Sequence, residues 1–159
     1  MIPDTYPKRI TLLVADAARS RRFYEHGLGL PVWYDDRVPV EGDRLPIRGV
    51  TGGTDTHLVI VQGKDAEVGM IGLLQVLGRP PAHREVPRQL EVGDVVLVMT
   101  TRDARALAGL IQVYGGTLHK PPYEWQVPAQ GTGRPKTIRT VACFDPDGYF
   151  IEANEYVAG

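Results

Sequence analysis

The stretch Ile10–Gly29, ITLLVADAARSRRFYEHGLG, predicts a strand followed by a capped helix that ends at a glycine. Alternate residues of Ile10–Val14 are apolar in the period of a half-buried strand. Asp16 is a typical N-cap residue, so a helix is predicted over Ala17–His26. Gly29 favours a left-handed turn at the helix end, which glycine adopts at little cost.

The same order of elements returns at Asp94–Gly116, DVVLVMTTRDARALAGLIQVYGG. Asp103 is the predicted cap and Gly116 the stop, thirteen residues apart, as are Asp16 and Gly29. Three strand candidates follow each copy, which predicts an internal βαβββ duplication rather than two unrelated α/β segments that match by chance. The candidates are Pro31–Tyr34, Ile47–Val50 and His57–Gln62 in the first copy, and Thr117–Tyr123, Lys136–Phe144 and Tyr149–Tyr156 in the second.

The size of the chain fits one domain, residues 1–159, with 43% hydrophobic residues to form a core. We expect module one over 8–63, module two over 93–157 and a surface linker over 64–92. The linker contains the proline-rich segment Arg79–Pro81 and a short predicted helix around Met70–Leu77.

Charge and cysteine content exclude several classes of protein. The net charge is -1 and no basic cluster is denser than Arg19–Arg22, so no nucleic-acid partner is expected. Cys143, the single cysteine, excludes an intrachain disulfide and a thiolate zinc cluster, and its apolar neighbours predict a buried thiol. No apolar run approaches the roughly 20 residues of a membrane span, and no signal core is evident, so we expect a cytoplasmic protein that does not enter membranes.

Two stretches carry a family likeness. Ile10–Asp16, Ser20 and Phe23–Leu30 resemble the opening module of vicinal oxygen chelate proteins, the glyoxalase and bleomycin-resistance superfamily. Phe144–Glu152, FDPDGYFIE, resembles their closing hairpin, which ends on a metal-ligating glutamate. The likeness covers essentially the whole chain and is weakest over 64–92. It implies an α+β fold of two βαβββ modules that form a curled mixed sheet with an open cup, often completed by dimerisation.

The resemblance also implies where a divalent metal would bind. Family members use a His, Gln or Glu on the first strand of each module and a carboxylate or similar group on the last. Seven residues before the capping aspartates stand Arg9 and Val96, neither of which ligates a cation. The position on module one's last strand falls near Val59, so Glu152 alone matches. We therefore expect no metal or other cofactor; His57 would be displaced by about 7 Å from the ligand position.

Strand alternation predicts which residues face the helices and which line the cup. The expected core positions are Ile10, Leu12, Val14, Val95, Leu97, Met99, Ile151 and Ala153. A largely apolar cup with a few polar groups is typical of a small-molecule pocket. Its predicted ligand-binding residues are Thr11, Leu13, His57, Val59, Val96, Val98, Phe150 and Asn154, with Val61 and Thr100 on the same faces.

The resemblance places Arg9 and Glu152 where two ligands would share one metal, so we expect them at salt-bridge distance. One interpretation is a structural ion pair, because buried charges persist only when paired. The other is catalytic, with Arg9 binding a carboxylate or enolate oxygen while Glu152 moves a proton. The sequence leaves both open.

The aromatic segment Tyr123–Pro128 is predicted to be a loop between strands. Its Tyr123 and Trp125 would stack on a planar ligand, with Gln130–Pro135 as a flexible lid, or would simply anchor an ordinary loop. The histidines expected at the surface or in packing contacts are His26, His83 and His119. On the second strand, Trp33 and Tyr34 are expected to line either the pocket or a dimer contact.

Three functions follow from these patterns. The first is a metal-independent lyase or isomerase that acts on an apolar oxygenated metabolite. The second is a non-catalytic protein that sequesters a small molecule, as in the bleomycin-resistance branch. The third is a metal-dependent glyoxalase or dioxygenase with atypical ligands such as His57 and Glu152. A homodimer is expected, both from the resemblance and because exposed sheet edges need cover.

Overall fold

The computed structural model describes residues 5–41, 44–48, 50–65, 68–80, 89–128 and 135–157. Contacts between backbone positions divide the chain into two compact units, called module one and module two below; His26–Leu28, at the end of the first helix, group with module two. Each unit carries one copy of the sequence repeat, and each is described by itself.

Module one forms a mixed four-stranded sheet in the order β1-β4-β3-β2. β1 and β4 run parallel, and the other neighbours run antiparallel. Its elements are β1 (Arg9–Leu13), α1 (Ala17–Arg22) with a π-helical turn (Phe23–Gly27), β2 (Val32–Pro39), β3 (Asp55–Val61) and β4 (Met70–Val76).

Module two repeats this arrangement in the order β5-β8-β7-β6, with β5 and β8 parallel. The α+β class and the βαβββ duplication are thereby confirmed. Backbone pairing in the described ranges joins strands only within a module, so the β-structure is two four-stranded sheets rather than one curled sheet. The elements are β5 (Val96–Thr100), α2 (Ala104–Val113), β6 (Thr117–Val127), β7 (Lys136–Phe144) and β8 (Phe150–Tyr156).

Both predicted helix caps are present. The Asp16 carboxylate accepts a hydrogen bond from the Arg19 backbone N–H at 3.0 Å. Asp103 accepts two, from the N–H groups at 105 and 106. These bonds satisfy donors that the first helical turn leaves unpaired. Gly115, with φ 90°, follows α2 in the left-handed conformation that ends a helix.

Two predictions about module one's strands are wrong. The expected linker helix around Met70–Leu77 is the strand β4, which pairs with both β1 and β3 in the interior of the sheet. A short apolar run fits a buried strand and a buried helix equally, and here pairing on both sides decides. The described residues of Ile47–Val50 form no strand. The last strand of module one is therefore β4, not β3.

Each sheet has a helix face, packed against its own helix, and an opposite face, called the open face below. In module one the register puts Leu12, Leu73 and Val59 in one row on the helix face. The row of Thr11 and Gly72 lies on the open face. The predicted core residues Leu12, Leu97, Ile151 and Ala153 are buried, whereas Ile10 and Val95 are 44% and 43% exposed.

The helices within the described ranges lack the length and apolar character of a membrane-spanning segment. Cys143 is buried in β7 as predicted. Burial raises the pKa of its thiol to about 12, with a smaller contribution from the Asp145 carboxylate.

Candidate functional site

Glu152 lies on the open face of module two. The neighbouring β8 residues Ile151 and Ala153 are buried toward α2, while Glu152 and Asn154 are half-buried on the other side. Parallel pairing puts Val98 beside Glu152. The predicted face assignments of β5 and β8 are thus the ones observed; the ligand-binding role of these residues stays a prediction.

A chain of hydrogen bonds ends at the Glu152 carboxylate. Trp125 Nε1 donates to Thr140 Oγ1 at 2.8 Å, and Thr140 Oγ1 donates to Asn154 Oδ1 at 2.5 Å. Asn154 Nδ2 then donates to Glu152 Oε1 at 2.8 Å. The chain crosses three adjacent strands, from β6 through β7 to β8.

The direction of these bonds follows from Trp125. An indole N–H donates only, so Thr140 must accept from it and give its own proton to Asn154. The Asn154 carbonyl is thereby engaged, and its NH₂ group is directed at Glu152. Glu152 is consequently held as a hydrogen-bond acceptor. Among the described residues of module two, Asn154 is its hydrogen-bond partner, which leaves the second carboxylate oxygen, Oε2, available to a ligand.

Apolar and aromatic side chains share the open face of module two with this carboxylate. Val98 and Trp125 are 66% and 40% exposed, and Val96 is also exposed. Phe150 packs edge-to-face against Phe144, with ring centroids 5.1 Å apart. An exposed apolar surface around a few polar groups is the usual composition of a small-molecule site.

The aromatic residues of β6 differ from their predicted setting. Tyr123 and Trp125 belong to a strand, not to a loop, and pair opposite Thr140 and Ile138. In Tyr123–Gln126 aromatic and polar residues alternate, which is typical of a half-buried strand. The predicted lid at Gln130–Pro135 lies outside the described residues apart from its last position.

A β-bulge in β6 brings two residues to the open face that the sequence did not single out for it. Leu118 pairs with Cys143 and Lys120 with Ala142, so His119 is an extra residue in the strand. The His119 ring contacts those of Phe144 and Phe150 at 6.4 and 5.9 Å. The packing role predicted for His119 is therefore observed.

Lys120 lies on the same open face. Its ammonium nitrogen is 3.4 Å from the centroid of the Tyr123 ring. Because Lys120 pairs with Ala142 and Ala142 with Glu152, the three residues form one row across the sheet. The bulge redirects side chains by one position, which strand alternation from sequence does not reveal.

Module one presents Arg9, Thr11 and Leu13 on its open face. A Cβ atom at Gly72 would lie 2.9 Å from Thr11 Oγ1 and 3.3 Å from Arg9 Cδ. The absence of a side chain at Gly72 thus lets the Arg9 stem lie across the sheet. No carboxylate of module one contacts Arg9 in the described ranges; its predicted pairing with Glu152 stays a prediction.

His57 and Val59 face the other way, so their predicted place beside Arg9 is wrong. Val59 is fully buried on the helix face, and His57 Nε2 lies 2.6 Å from Asp35 Oδ1. Asp35 also accepts from Arg21 at 2.6 Å. β3 is apolar on both faces, so its sequence did not show which alternate set points inward. Val61 shares this correction.

Electrostatics at Asp35 fit a structural role. Burial acts to raise the pKa of its carboxyl, but hydrogen bonds from His57 and Arg21 outweigh it and hold the pKa below its ordinary value of 3.8. His57 is thereby engaged on the helix face, which removes the basis for pairing it with Glu152 as a metal ligand.

The register also moves the metal-ligand position expected on the last strand of module one from Val59 to Gly72. Glu152 pairs with Val98, two residues after Val96; the matching partner of Thr11, two residues after Arg9, is Gly72 and not Val59. The four positions thus hold a cation, two residues without a donor side chain and one carboxylate. This donor set does not fit a divalent metal. The described residues contain no group of three or more His, Cys, Asp or Glu side chains that would hold one.

The remaining predicted residues have packing contacts or lie outside the described part. His26 is 5.8 Å from the Tyr114 ring centroid, and His83 is outside the described residues. Trp33 is 56% exposed beside Tyr34, their centroids 6.2 Å apart, so lining and dimer contact both remain open for this pair.

Solved structures identify the fold. A glyoxalase family protein from Bacillus cereus matches over 99% of this chain and 100% of its own, with a TM-score of 0.69 and 16% identity. The trypanothione-dependent glyoxalase I of Leishmania major matches over 96% and 87%, with a TM-score of 0.62 and 17% identity. A virulence protein from Salmonella typhimurium matches over 99% and 100%, with a TM-score of 0.52 and 22% identity. The chain therefore has the glyoxalase/bleomycin-resistance fold of vicinal oxygen chelate proteins.

By sequence alone, no family model matches the chain, and no curated protein does so either.

Proposed function

We propose that this protein binds an apolar oxygenated small molecule on the open face of module two and transfers a proton through Glu152, as a metal-independent lyase or isomerase. The observation that carries the proposal is the hydrogen-bond chain that presents Glu152 as an acceptor among exposed apolar side chains. A fixed carboxylate with one oxygen available is suited to removing a proton from carbon or hydroxyl.

The chain would keep Glu152 in place during the reaction. Asn154 donates to Oε1 and limits rotation of the carboxylate, while Oε2 is left to meet the ligand. Val98, which pairs with Glu152, and Phe150, two residues before it on β8, would exclude water from the reacting atoms. Arg9, which contacts no carboxylate in the described part of module one, keeps its predicted catalytic role as a proposal, in which its guanidinium binds an anionic oxygen.

Glu152→Gln tests the proposal, with Glu155→Gln as control. A thermal-shift screen of hydroxy and keto compounds identifies a ligand, and NMR then follows its conversion and its hydrogen exchange in D₂O. Glu152→Gln should abolish conversion and exchange but retain binding. Glu155 lies on the helix face, bound to Arg139 at 2.9 Å, so its variant should lose stability and keep turnover.

Other outcomes would identify a different function. Stoichiometric binding with the ligand recovered unchanged and unexchanged in wild type would contradict catalysis and support sequestration. Activity that requires added Zn²⁺ or Ni²⁺ and is lost on chelation would contradict metal independence.

We also propose a homodimer in the cytoplasm. Each sheet has two edge strands, among them β2 and β6, whose unpaired backbone groups favour cover by a second copy. Light scattering after size-exclusion chromatography should give twice the chain mass of 17.5 kDa. A monomer mass across the micromolar range would contradict the dimer.

A further inference from the structure

We propose that Lys120 binds the carboxylate of the ligand, so that the compounds accepted by module two are carboxylic acids with an apolar or aromatic body. This inference rests on the proposed function, since it concerns the same open face, and it names the class of ligand. It is carried by the row Lys120, Ala142, Glu152.

The row places opposite charges on either side of a small residue. Lys120 and Glu152 are two strands apart, so their backbones are separated by about 10 Å. Between them the sheet presents only the methyl group of Ala142. A ligand lying over Ala142 therefore meets an ammonium group at one end and a carboxylate at the other.

The β-bulge explains why the lysine is available there. In a regular ladder without the bulge, His119 would lie opposite Ala142 and Lys120 opposite Val141, on the helix face. The Tyr123 ring holds the ammonium by a cation–π contact, which occupies one side of the group and leaves N–H donors for an anion.

Carboxylates elsewhere on β6 and β8 do not compete for this lysine. Glu124 and Glu155 both accept hydrogen bonds from Arg139, and Glu155 also accepts from the N–H of Ala104 at the start of α2. Both lie on the helix face. In the described ranges, the Tyr123 ring is the recorded partner of the Lys120 ammonium.

The two charges assign different roles to the two ends of a ligand. A ligand carboxylate would be repelled by Glu152 and attracted by Lys120, so it would bind at the β6 side. The adjacent C–H or O–H group would then lie over Ala142, toward Glu152. Recognition of the carboxylate thus positions the acidic hydrogen at the proton acceptor.

Matched probes test this inference. The probes are 3-phenylpropanoate and 3-phenylpropan-1-ol, which share a shape and differ in charge. Binding is followed by ¹H–¹⁵N NMR through the indole N–H of Trp125, assigned with a Trp33→Phe variant. Wild type should bind the carboxylate about tenfold more tightly than the alcohol, the effect of one charge-assisted contact.

In Lys120→Met, the ratio of carboxylate affinity to alcohol affinity should fall from about ten to about one, with the affinity for the alcohol unchanged. Lys120→Arg should retain part of the preference for the carboxylate. Lys136→Met is the matched control, because Lys136 also lies near an aromatic ring, 5.7 Å from the centroid of Tyr156. Its preference should equal that of wild type.

Two results would overturn the inference and are distinguishable from a failure of the proposed function. Equal binding of both probes by wild type, or a preference that survives in Lys120→Met, would overturn the role of Lys120 while the open face remained a binding site. If neither probe shifts Trp125 or its neighbours, both the inference and the binding site fail.

Discussion

Gly72 and Glu152 occupy the same register position in the two modules. Gly72 lies on β4 opposite Thr11, and Glu152 lies on β8 opposite Val98. The duplicated fold thus has a carboxylate in one copy and no side chain in the other. In module one, the space is filled by the stem of Arg9. The missing side chain at Gly72 and the position of the Arg9 stem therefore belong to one packing arrangement.

Gly72→Ala should destabilise module one. The added Cβ would lie 2.9 Å from Thr11 Oγ1, so the Thr11 and Arg9 side chains must move. Such overpacking costs about 1–3 kcal/mol of unfolding free energy, measured by urea denaturation.

Thr11→Ala removes the nearest atom and should recover part of the loss in the double variant. The matched control is Gly63→Ala, where an added Cβ meets nothing within 4 Å. Equal stability of Gly72→Ala and wild type would contradict the close packing of Arg9 over this glycine.

Thr140→Val should disconnect Trp125 from Glu152. The fully buried hydroxyl both accepts from Trp125 and donates to Asn154, so its loss leaves both partners unsatisfied. We expect a loss of about 1–3 kcal/mol in unfolding free energy and an upfield shift of the Trp125 indole proton in NMR spectra.

Thr137→Val is the control for that experiment, because Thr137 lies on the same strand and its side chain makes no hydrogen bond within the described part of the chain. An unchanged indole resonance in Thr140→Val, with normal folding, would show that the hydrogen-bond chain does not form in solution.

Asp35→Asn should destabilise the protein at neutral pH but not in acid. The pKa of Asp35 is lower in the folded chain than its ordinary value of 3.8, so its contribution is fully present above pH 3.8. That contribution is lost as pH falls through the lowered folded value. At neutral pH we expect at most about 1 kcal/mol, since the pair is partly exposed.

Urea denaturation of wild type and Asp35→Asn at a series of pH values measures this difference. Asp36→Asn is the neighbouring control, since Asp36 lies on the opposite face of β2 from Asp35. A difference that grows on acidification would contradict the sign.

Cys143 should be unreactive in the folded protein. Its pKa of about 12 keeps the thiol protonated at pH 8, and the side chain is fully buried. Alkylation by iodoacetamide, followed by mass spectrometry, should be complete in guanidinium chloride and negligible in native buffer. Rapid alkylation of the native protein would show that β7 opens readily.

The sequence predicted those parts of the fold that local chemistry determines. Asp16 and Asp103 cap helices because their side chains accept hydrogen bonds from N–H groups two or three residues later. Such an interaction depends only on residues close together in the sequence, so it can be predicted from them. The spacing of cap and glycine revealed the duplication, and the bounds of β7 were predicted as observed.

Features that depend on distant pairing were not predictable. β4 resembles a helix or a linker until it is placed between β1 and β3, and the faces of β3 follow from that placement. The open-face position of Lys120 depends on a bulge opposite Ala142, which strand alternation alone does not predict. The sequence therefore predicted the face on which Glu152 and Asn154 lie and did not predict that of Lys120; the roles of all three residues stay proposals.

The pairing of first and last strands has a consequence for the synthesis of the chain. β5 is bonded to β8, which follows every other strand of module two in sequence order, and to no other strand in the described ranges. The sheet of module two thus cannot be completed until β8 has been synthesised. Until then β5 has no strand to pair with, because its partner lies some fifty residues later in the sequence. A truncation that removes β8 would therefore take away an interior strand rather than an edge, together with the carboxylate of the candidate site.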